Sequence, residues 1–512
     1  MAHSTAKPVF CSEDTKGLKP GDVVSSWITS FEWDESCVRA EEADRWTKES
    51  DPPCDATLDI LFPDQTSSVG VDLLGKLQSS CSDSLAAPTG DPAHELYDSL
   101  RNPPHDLCAT PEDIALASDL FLDYAAQIAQ SLAFFSLAGG FASSRIVATL
   151  NAVSYLVPGT AKYDAEGSPS PSTRAQDERT YIRLMETFQF VLDVMGCTSS
   201  TTYWPQARCD EKAEGVPAIA PGGVGWKSAV RVRMLHGIAR RRAREHLSRA
   251  SQGSLDFVPV NQLDMSGTLA AFSTVPIWCL ERLGFNIPYA SKSAYLAVWR
   301  QVGFYMGISP DILRSHFMTP AQADKFPPSV VIHLFSPHPE LQHLVPPTLP
   351  ILRALADRPH TRTSYQYNCA LARHLIGPTL SDHLSIPRTT LPVYLRMRLS
   401  LAVQALPCHF ARVYPRRGWL LARRAALREA LVAVVEGSGL GMRRTAFRPR
   451  QPGASDLDPG VREQERIEAK MGTGAAIVRS FRAVWVEMAA VLVIAGLLVS
   501  SVLWRLYAAC VV

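Results

Sequence analysis

Beyond residue 110, apolar side chains recur three and four positions apart, and strict alternation is scarce. That period puts them on one face of successive helices, so the predicted class is all-α. The first sustained helix opens at Pro111-Glu-Asp behind the candidate cap Thr110. Ile114, Leu120, Phe121, Tyr124, Ile128, Leu132 and Phe135 carry it on to a break at Gly139-Gly140. A second helix runs from Arg145 to Val157 and is stopped by Pro158-Gly159. Further helices are expected over 178–195, 229–249, 260–283, 291–307, 396–410 and 419–435, the last ended by Gly437. Residues 196–225 read as an irregular insertion and 327–350, rich in Pro and His, as an ordered loop. Residues 1–108 are rich in Asp, Glu, Ser, Pro and Thr without an apolar period. They predict a partly disordered arm with local structure near Trp27–Trp33 and Ala56–Leu77.

The C-terminal pattern is different. From Ala483 to Trp504 the chain is apolar but for Glu487, Ser500 and Ser501, which is about the length that crosses a bilayer. Trp485 and Trp504 sit near its ends, and Arg479 and Arg482 precede it while Arg505 follows. Glu487 is close enough to the end to snorkel. No polar face supports a buried core helix. Residues 483–505 are therefore predicted to be a transmembrane tail anchor behind a Pro- and Arg-containing linker over 438–478. The first eleven residues have no apolar stretch and predict no signal peptide, so the bulk of the chain is expected to face the cytosol.

A chain of 512 residues with a formal net charge of +1 gives no global pull toward nucleic acid. Its 11 cysteines are scattered without a Cys-x-x-Cys pair, which fits reduced thiols better than a disulfide or zinc framework. Pro221-Gly-Gly-Val-Gly-Trp-Lys-Ser228 imitates a phosphate loop, but Trp226 separates Gly225 from Lys227 and no apolar strand leads in. His333, His338, His343 and His360 are irregularly spaced and do not make a metal motif. The run Arg240-Arg-Arg-Ala-Arg244 is expected to be the solvated face of a helix rather than a nucleic-acid patch.

That helix holds the most informative residue. His236 shares a face with Val232, Ala239 and Ala243, and Gly237 is beside it. A histidine on an apolar stripe with small neighbours leaves room for something flat, and a haem with a proximal histidine fits. Upstream, Arg183 and Thr187 are four apart on a helix that also carries Leu184, Phe188, Val191 and Leu192. A cation and a hydroxyl pointing into one pocket can polarise bound dioxygen.

The order of these motifs resembles a known family. Arg183-x-x-x-Thr187 is followed by Val-Arg-Met-Leu-His236 and Val-Pro-Val-Asn261-Gln262-Leu-Asp264, then by Thr268, Phe272 and Leu283-Gly284. Tyr295-x-x-x-Trp299-Arg300-x-x-Gly303-x-x-x-Gly307 completes the set. From about residue 112 to 435 the chain is similar to the ER-bound oxygenase and rubber oxygenase catalytic domain, which includes the latex-clearing proteins. The resemblance implies a globin-like helical core over 109–437 that binds haem b, with His236 as the proximal iron ligand and Arg183 and Thr187 on the distal side. It implies dioxygen-dependent cleavage of carbon–carbon double bonds in a hydrophobic isoprenoid or prenylated molecule, by an enzyme in the endoplasmic reticulum membrane. Two departures stand out. Where some rubber oxygenases carry a lysine before the threonine, this chain has Glu186. An upstream catalytic glutamate has no motif-anchored match, Glu166 and Glu178 being the candidates. Other haem oxidations, or a non-catalytic binding role on the same fold, stay open at this point.

Overall fold

A computed structural model of the chain describes residues 6–82, 90–153, 171–198, 216–250, 256–358, 362–435, 440, 445, 447–449 and 473–511. Among these residues the chain is all-α apart from one small sheet. Strands β1 (Lys7–Pro8), β2 (Val23–Ser25) and β3 (Ser30–Glu32) lie in that order, β1 parallel and β3 antiparallel to β2, with Val24 opposite Phe31.

The stretch expected as a partly disordered arm is built into the domain over its described residues. Helices α1 (Ala40–Lys48), α2 (Pro52–Leu61), α3 (Leu73–Ser82) and α4 (Pro92–Arg101) follow the sheet. Trp46, Leu58, Leu73, Leu77, Leu96 and Leu100 join the main core. These helices are short and each buries only a few residues, so no long apolar period marks them in the sequence. Proline at the first turn of α2 and α4 supplies their start signals.

Thr110 caps α5 (Pro111–Asp123) in a reciprocal box with Asp113. The expected long helix is broken at Tyr124, where the chain turns by 85° into α6 (Ala125–Ser131), a π-helical turn (Leu132–Leu137) and α7 (Ala138–Gly140). Helices α8 (Ser144–Val153), α9 (Pro171–Val194) and α10 (Val224–Ala250) come next. The expected helix over 260–283 is two, α11 (Gln262–Phe272) and α12 (Thr274–Arg282), parted at Ser273. After α13 (Tyr289–Tyr305) and α14 (Pro310–His316), the region expected as a loop is entered by α15 (Pro320–Leu334). Its Pro327 and Pro328 remove two backbone donors, yet the helix continues. The Ser329 hydroxyl reaches back to the carbonyls of Lys325 and Phe326, and Phe326, Val330 and Ile332 are buried. Helices α16 (Thr348–Ala354), α17 (Tyr365–Ile376) and α18 (Pro378–His383) lead to the long α19 (Leu391–Val413) and to α20 (Arg417–Val432). The last helix, α21 (Thr473–Val511), contains Arg482–Trp504, which is long and apolar enough to cross a membrane and is almost wholly uncovered by protein. Glu166, Gly437, most of the expected insertion and most of the expected linker lie outside the described residues.

α10 is fixed by charge. Of the basic run expected as a solvated face, Arg244 is exposed and Arg242 reaches the cavity described below, but Arg240 and Arg241 are turned toward α2, where Asp51 at the cap, Asp55 and Asp59 are each four residues apart. Arg233 makes two 2.7 Å bonds to Asp51, Arg240 pairs with Asp55, and Arg241 meets Asp59 at 2.6 Å. Arg240 is only 2% exposed. Two glycines make room for this contact. A Cβ on Gly237 would come within 2.4 Å of Leu58, and one on Gly307, at φ +88°, within 2.2 Å of Asp51.

Breaking a buried pair leaves one charge stranded. Asp51→Ala or Arg233→Ala is expected to cost about 3–5 kcal/mol. Arg231→Ala, which loses only a half-exposed partner in Asp72, is expected to cost at most about 1 kcal/mol. Thermal or urea unfolding of the three variants checks this order.

Candidate active site

α8, α9, α10, α11 and α13 enclose a cavity of about 440 Å³ with mainly apolar walls, within the usual range for a small-molecule or cofactor site. The structure brings all three of the sequence-predicted site residues to this one cavity. His236 projects from α10, and Arg183 and Thr187 from α9. Val232, Leu235, Phe190, Phe272, Trp299 and Met306 supply much of the apolar lining.

His236 is enclosed by protein except toward the cavity. Burial, with Arg240 one turn on as a lesser cause, pushes its pKa from 6.5 to about 4. The imidazole is therefore neutral at physiological pH. Its Nδ1 is buried and has no hydrogen-bond partner among the described residues. A buried polar atom without a partner is uncommon, and it leaves Nε2 as the ring nitrogen that is not enclosed by protein.

On the α9 wall, Arg183 donates to Glu186 at 2.9 Å within a buried pair, and Thr187 donates to the Arg183 carbonyl at 3.1 Å. Glu186 also lines the cavity, as do Arg179 and Arg242. Glu178 is placed elsewhere: it pairs with Arg358 at the surface, with its side chain 55% exposed.

Three groups on the wall escaped sequence reasoning. Thr149 of α8 reaches the cavity, with Arg145 one turn before it, and the Thr149 hydroxyl has no partner among the described residues. The spacing Arg145-x-x-x-Thr149 repeats that of Arg183 and Thr187, and it was the available signal. Asp264 of α11 faces the same region, its Oδ1 3.9 Å from Arg145 Nε and beyond hydrogen-bond range. Burial raises its pKa to about 6, with Arg145 and the Asn261 hydrogen bonds pulling the other way. The third group is Phe447 with Thr445 and Pro449, from the segment expected as linker, which close one side. Thr445 exchanges backbone bonds with the Gln189 amide, and Phe447 packs edge-on against Phe190.

Several motif residues prove to be scaffolding. Asn261 caps α11. Gln262 ties Ser50 to Gly307 and receives the Ser309 N–H. Arg300 donates to the carbonyls of Leu107, Phe317 and Met318. Val260 lines the cavity at φ +54°, costly for a β-branched residue, and its carbonyl is gripped by Arg240. The glycine-rich imitation of a phosphate loop is the packed start of α10. Gly223 and Gly225 allow backbone approach, Ser228 bonds Asp193 at 2.6 Å, and Trp226 donates to Leu100 O. His333 bonds Val38 and Ser12, His338 pairs with Asp256, His343 is exposed, and His360 lies outside the described residues. Among the described residues no three His, Cys, Asp or Glu side chains form a group that could hold a metal ion.

The two shifted groups oppose one another in acid. His236 charges in the unfolded chain first, so its contribution destabilises as pH falls from 6.5 to about 4. Asp264 takes up its proton in the folded chain first, so its contribution stabilises as pH falls from about 6 to 3.8. Without added haem, His236→Gln is expected to gain stability relative to wild type on acidification through this window, and Asp264→Asn to lose it. Unfolding midpoints at pH 4, 5, 6 and 7 read both slopes.

Residues 165–406 match the family described as the ER-bound oxygenase mpaB/B'/rubber oxygenase catalytic domain. No curated protein matches the chain significantly. Among solved structures, the latex clearing protein LCP in its closed state is similar at a TM-score of 0.45 and 17% identity, over 76% of this chain and 91% of that one. The cavity's α9, α10, α11 and α13 walls all fall within the matched span, so the site lies in the part of the chain that is similar to that oxygenase catalytic domain.

Proposed function

We propose that the protein is a membrane-anchored, haem-dependent oxygenase that cleaves a carbon–carbon double bond in a hydrophobic isoprenoid or prenylated metabolite. The observation that carries this reading is the neutral His236 ring, with one buried nitrogen unpartnered, on the wall of an apolar cavity that also holds Arg183 and Thr187.

The residues present fit a haem. An imidazole that is uncharged above pH 5 offers a lone pair without first losing a proton, so His236 would be the residue to hold the haem iron. The apolar walls suit a flat macrocycle. Arg179, Arg242 and Arg448 on the rim suit its carboxylates. When bound, haem b would supply the dioxygen-activating chemistry. The chain's own contribution is then positional. Arg183 directs positive charge into the cavity, held by Glu186 in one rotamer. The Thr187 hydroxyl, anchored on the Arg183 carbonyl, keeps a lone pair toward the interior. Phe190, Phe272 and Trp299 exclude water and accept an apolar chain. The Arg183–Glu186 pair also favours a second reading, a haem monooxygenase or peroxidase-like enzyme, because a cation and an acid together can handle protons on a reduced oxygen species. Product analysis separates the two: cleavage gives two carbonyl fragments, and the alternative leaves the carbon skeleton intact.

The span Arg482–Trp504 supports a single-pass anchor, and the ER-bound members of the family support that membrane, with the catalytic domain in the cytosol. A tether there keeps the cavity beside a reservoir of dissolved alkene.

The first test is an absorption spectrum of the full chain expressed with haem supply. A Soret band is expected in wild type and not in His236→Ala; a well-folded wild-type protein with no band sinks the haem reading. With haem bound, Arg183→Ala and Thr187→Val are expected to keep the band and to lower kcat by about 10²–10³. Release of the domain by a protease site placed after Pro449, which leaves the cavity wall intact, is expected to slow turnover of a long isoprenoid and to spare a short soluble one. Equal losses on both would refute the reservoir role.

A further inference from the structure

α19 is apolar on two opposite faces. One face, with Met397, Leu401 and Cys408, packs on the core. The other presents Leu391, Leu395, Leu399, Val403, Leu406 and Val413, which fall within about a third of a turn of one another at the 100° helical step. These are not grazing exposures. Leu391 is 69% exposed, Leu395 57%, Leu399 67% and Val413 79%. A helix apolar all round belongs in a core or in lipid, and an uncovered row of this length is uncommon on a soluble surface.

What covers it is indicated by the neighbouring helix. The start of the membrane-length segment of α21 is locked onto the end of α19 and the start of α20. Val484 and Met488 are buried against Phe410 and Trp419. Trp419 Nε1 donates to the Val484 carbonyl at 3.1 Å. Glu487, the one acid within the apolar span, takes Tyr414 Oη at 2.9 Å and Arg416 at 2.6 Å. The point where α21 would enter a bilayer is thus fixed to the end of α19, and the uncovered row begins there. Arg396 and Arg398 are exposed along the edges of the row, where long cationic stems can reach headgroup phosphates.

We propose that α19 is a second membrane contact: an interfacial helix whose apolar row sinks about 5–10 Å into the headgroup–acyl boundary of the bilayer that α21 spans. This rests on the anchor reading above. It would give the domain two points of attachment and so a fixed tilt, where a lone tether leaves it free to swing.

The test places a nitroxide at Leu399→Cys in the full chain, reconstituted in phosphatidylcholine–phosphatidylglycerol vesicles. Identically treated wild type supplies the background of the native thiols. Collisions with oxygen and with a water-soluble nickel chelate are compared with labels at Asp311→Cys, on the aqueous surface, and at Leu497→Cys, within the span. The expected result is a Leu399 label severalfold more accessible to oxygen and severalfold less accessible to nickel than the Asp311 label. Free access of nickel to the Leu399 label, with Leu497 in lipid, overturns the proposal and keeps the anchor. Poor access of both reagents to Leu399 also overturns it, since the row is then covered by protein, as in a dimer. Nickel access at Leu497 as well sinks the anchor reading itself.

Discussion

Three aspartates at the cap and along α2, held against three arginines on α10, set the position of His236 and of two walls of the cavity. A buried guanidinium is tolerated only where its charge and donors are met, so α10 has one roll angle at which Arg233, Arg240 and Arg241 are all satisfied. At that angle His236, between Arg233 and Arg240 in the chain, faces the interior. Arg240 extends the constraint further. After pairing with Asp55 it grips the Val260 carbonyl and holds that residue in a left-handed conformation on the wall. The chain then enters α11 with Asp264 turned toward the cavity. One electrostatic seam therefore positions two walls.

Much of this was legible in the sequence. The 3.6-residue period gave α5, most of α8 to α13, α19 and α20, though not α14 to α18; Thr110 with Asp113 gave a start, and the apolar face of α10 singled out His236. The seam itself was not legible. Arg240 and Arg241 look like part of a solvated run because their partners are about 180 residues earlier, in a segment whose composition suggests disorder. Composition averages over a stretch, whereas burial depends on whether each acid meets a base, and no local pattern reports that. The broken helices at Tyr124 and Ser273 were missed for a related reason: neither residue is a strong breaker, and tertiary packing decides the bend. Pro327-Pro328 misled in the other direction: burial of Phe326, Val330 and Ile332 holds the helix through the prolines although two of its backbone donors are missing.

The cavity's polarity is distributed unevenly. Its helical walls are mostly hydrocarbon, but Thr149 and Asp264 make one polar corner, with Arg145 behind it 3.9 Å from the Asp264 carboxylate. Arg183 and Glu186 on α9 are met by one another. A largely apolar molecule carrying one polar group would be oriented by that corner, whereas a pure hydrocarbon could enter either way round.

Phe447 and its neighbours belong to a stretch that composition marks as connector, yet they stand beside Phe190 in the lining. Connectors diverge faster than helices because little packs against them. Here that freedom reaches the binding volume directly. Two proteins with the same helices and the same His236 can differ in what they admit through a handful of residues after α20, because only Thr445 and Phe447 tie that part of the wall to α9.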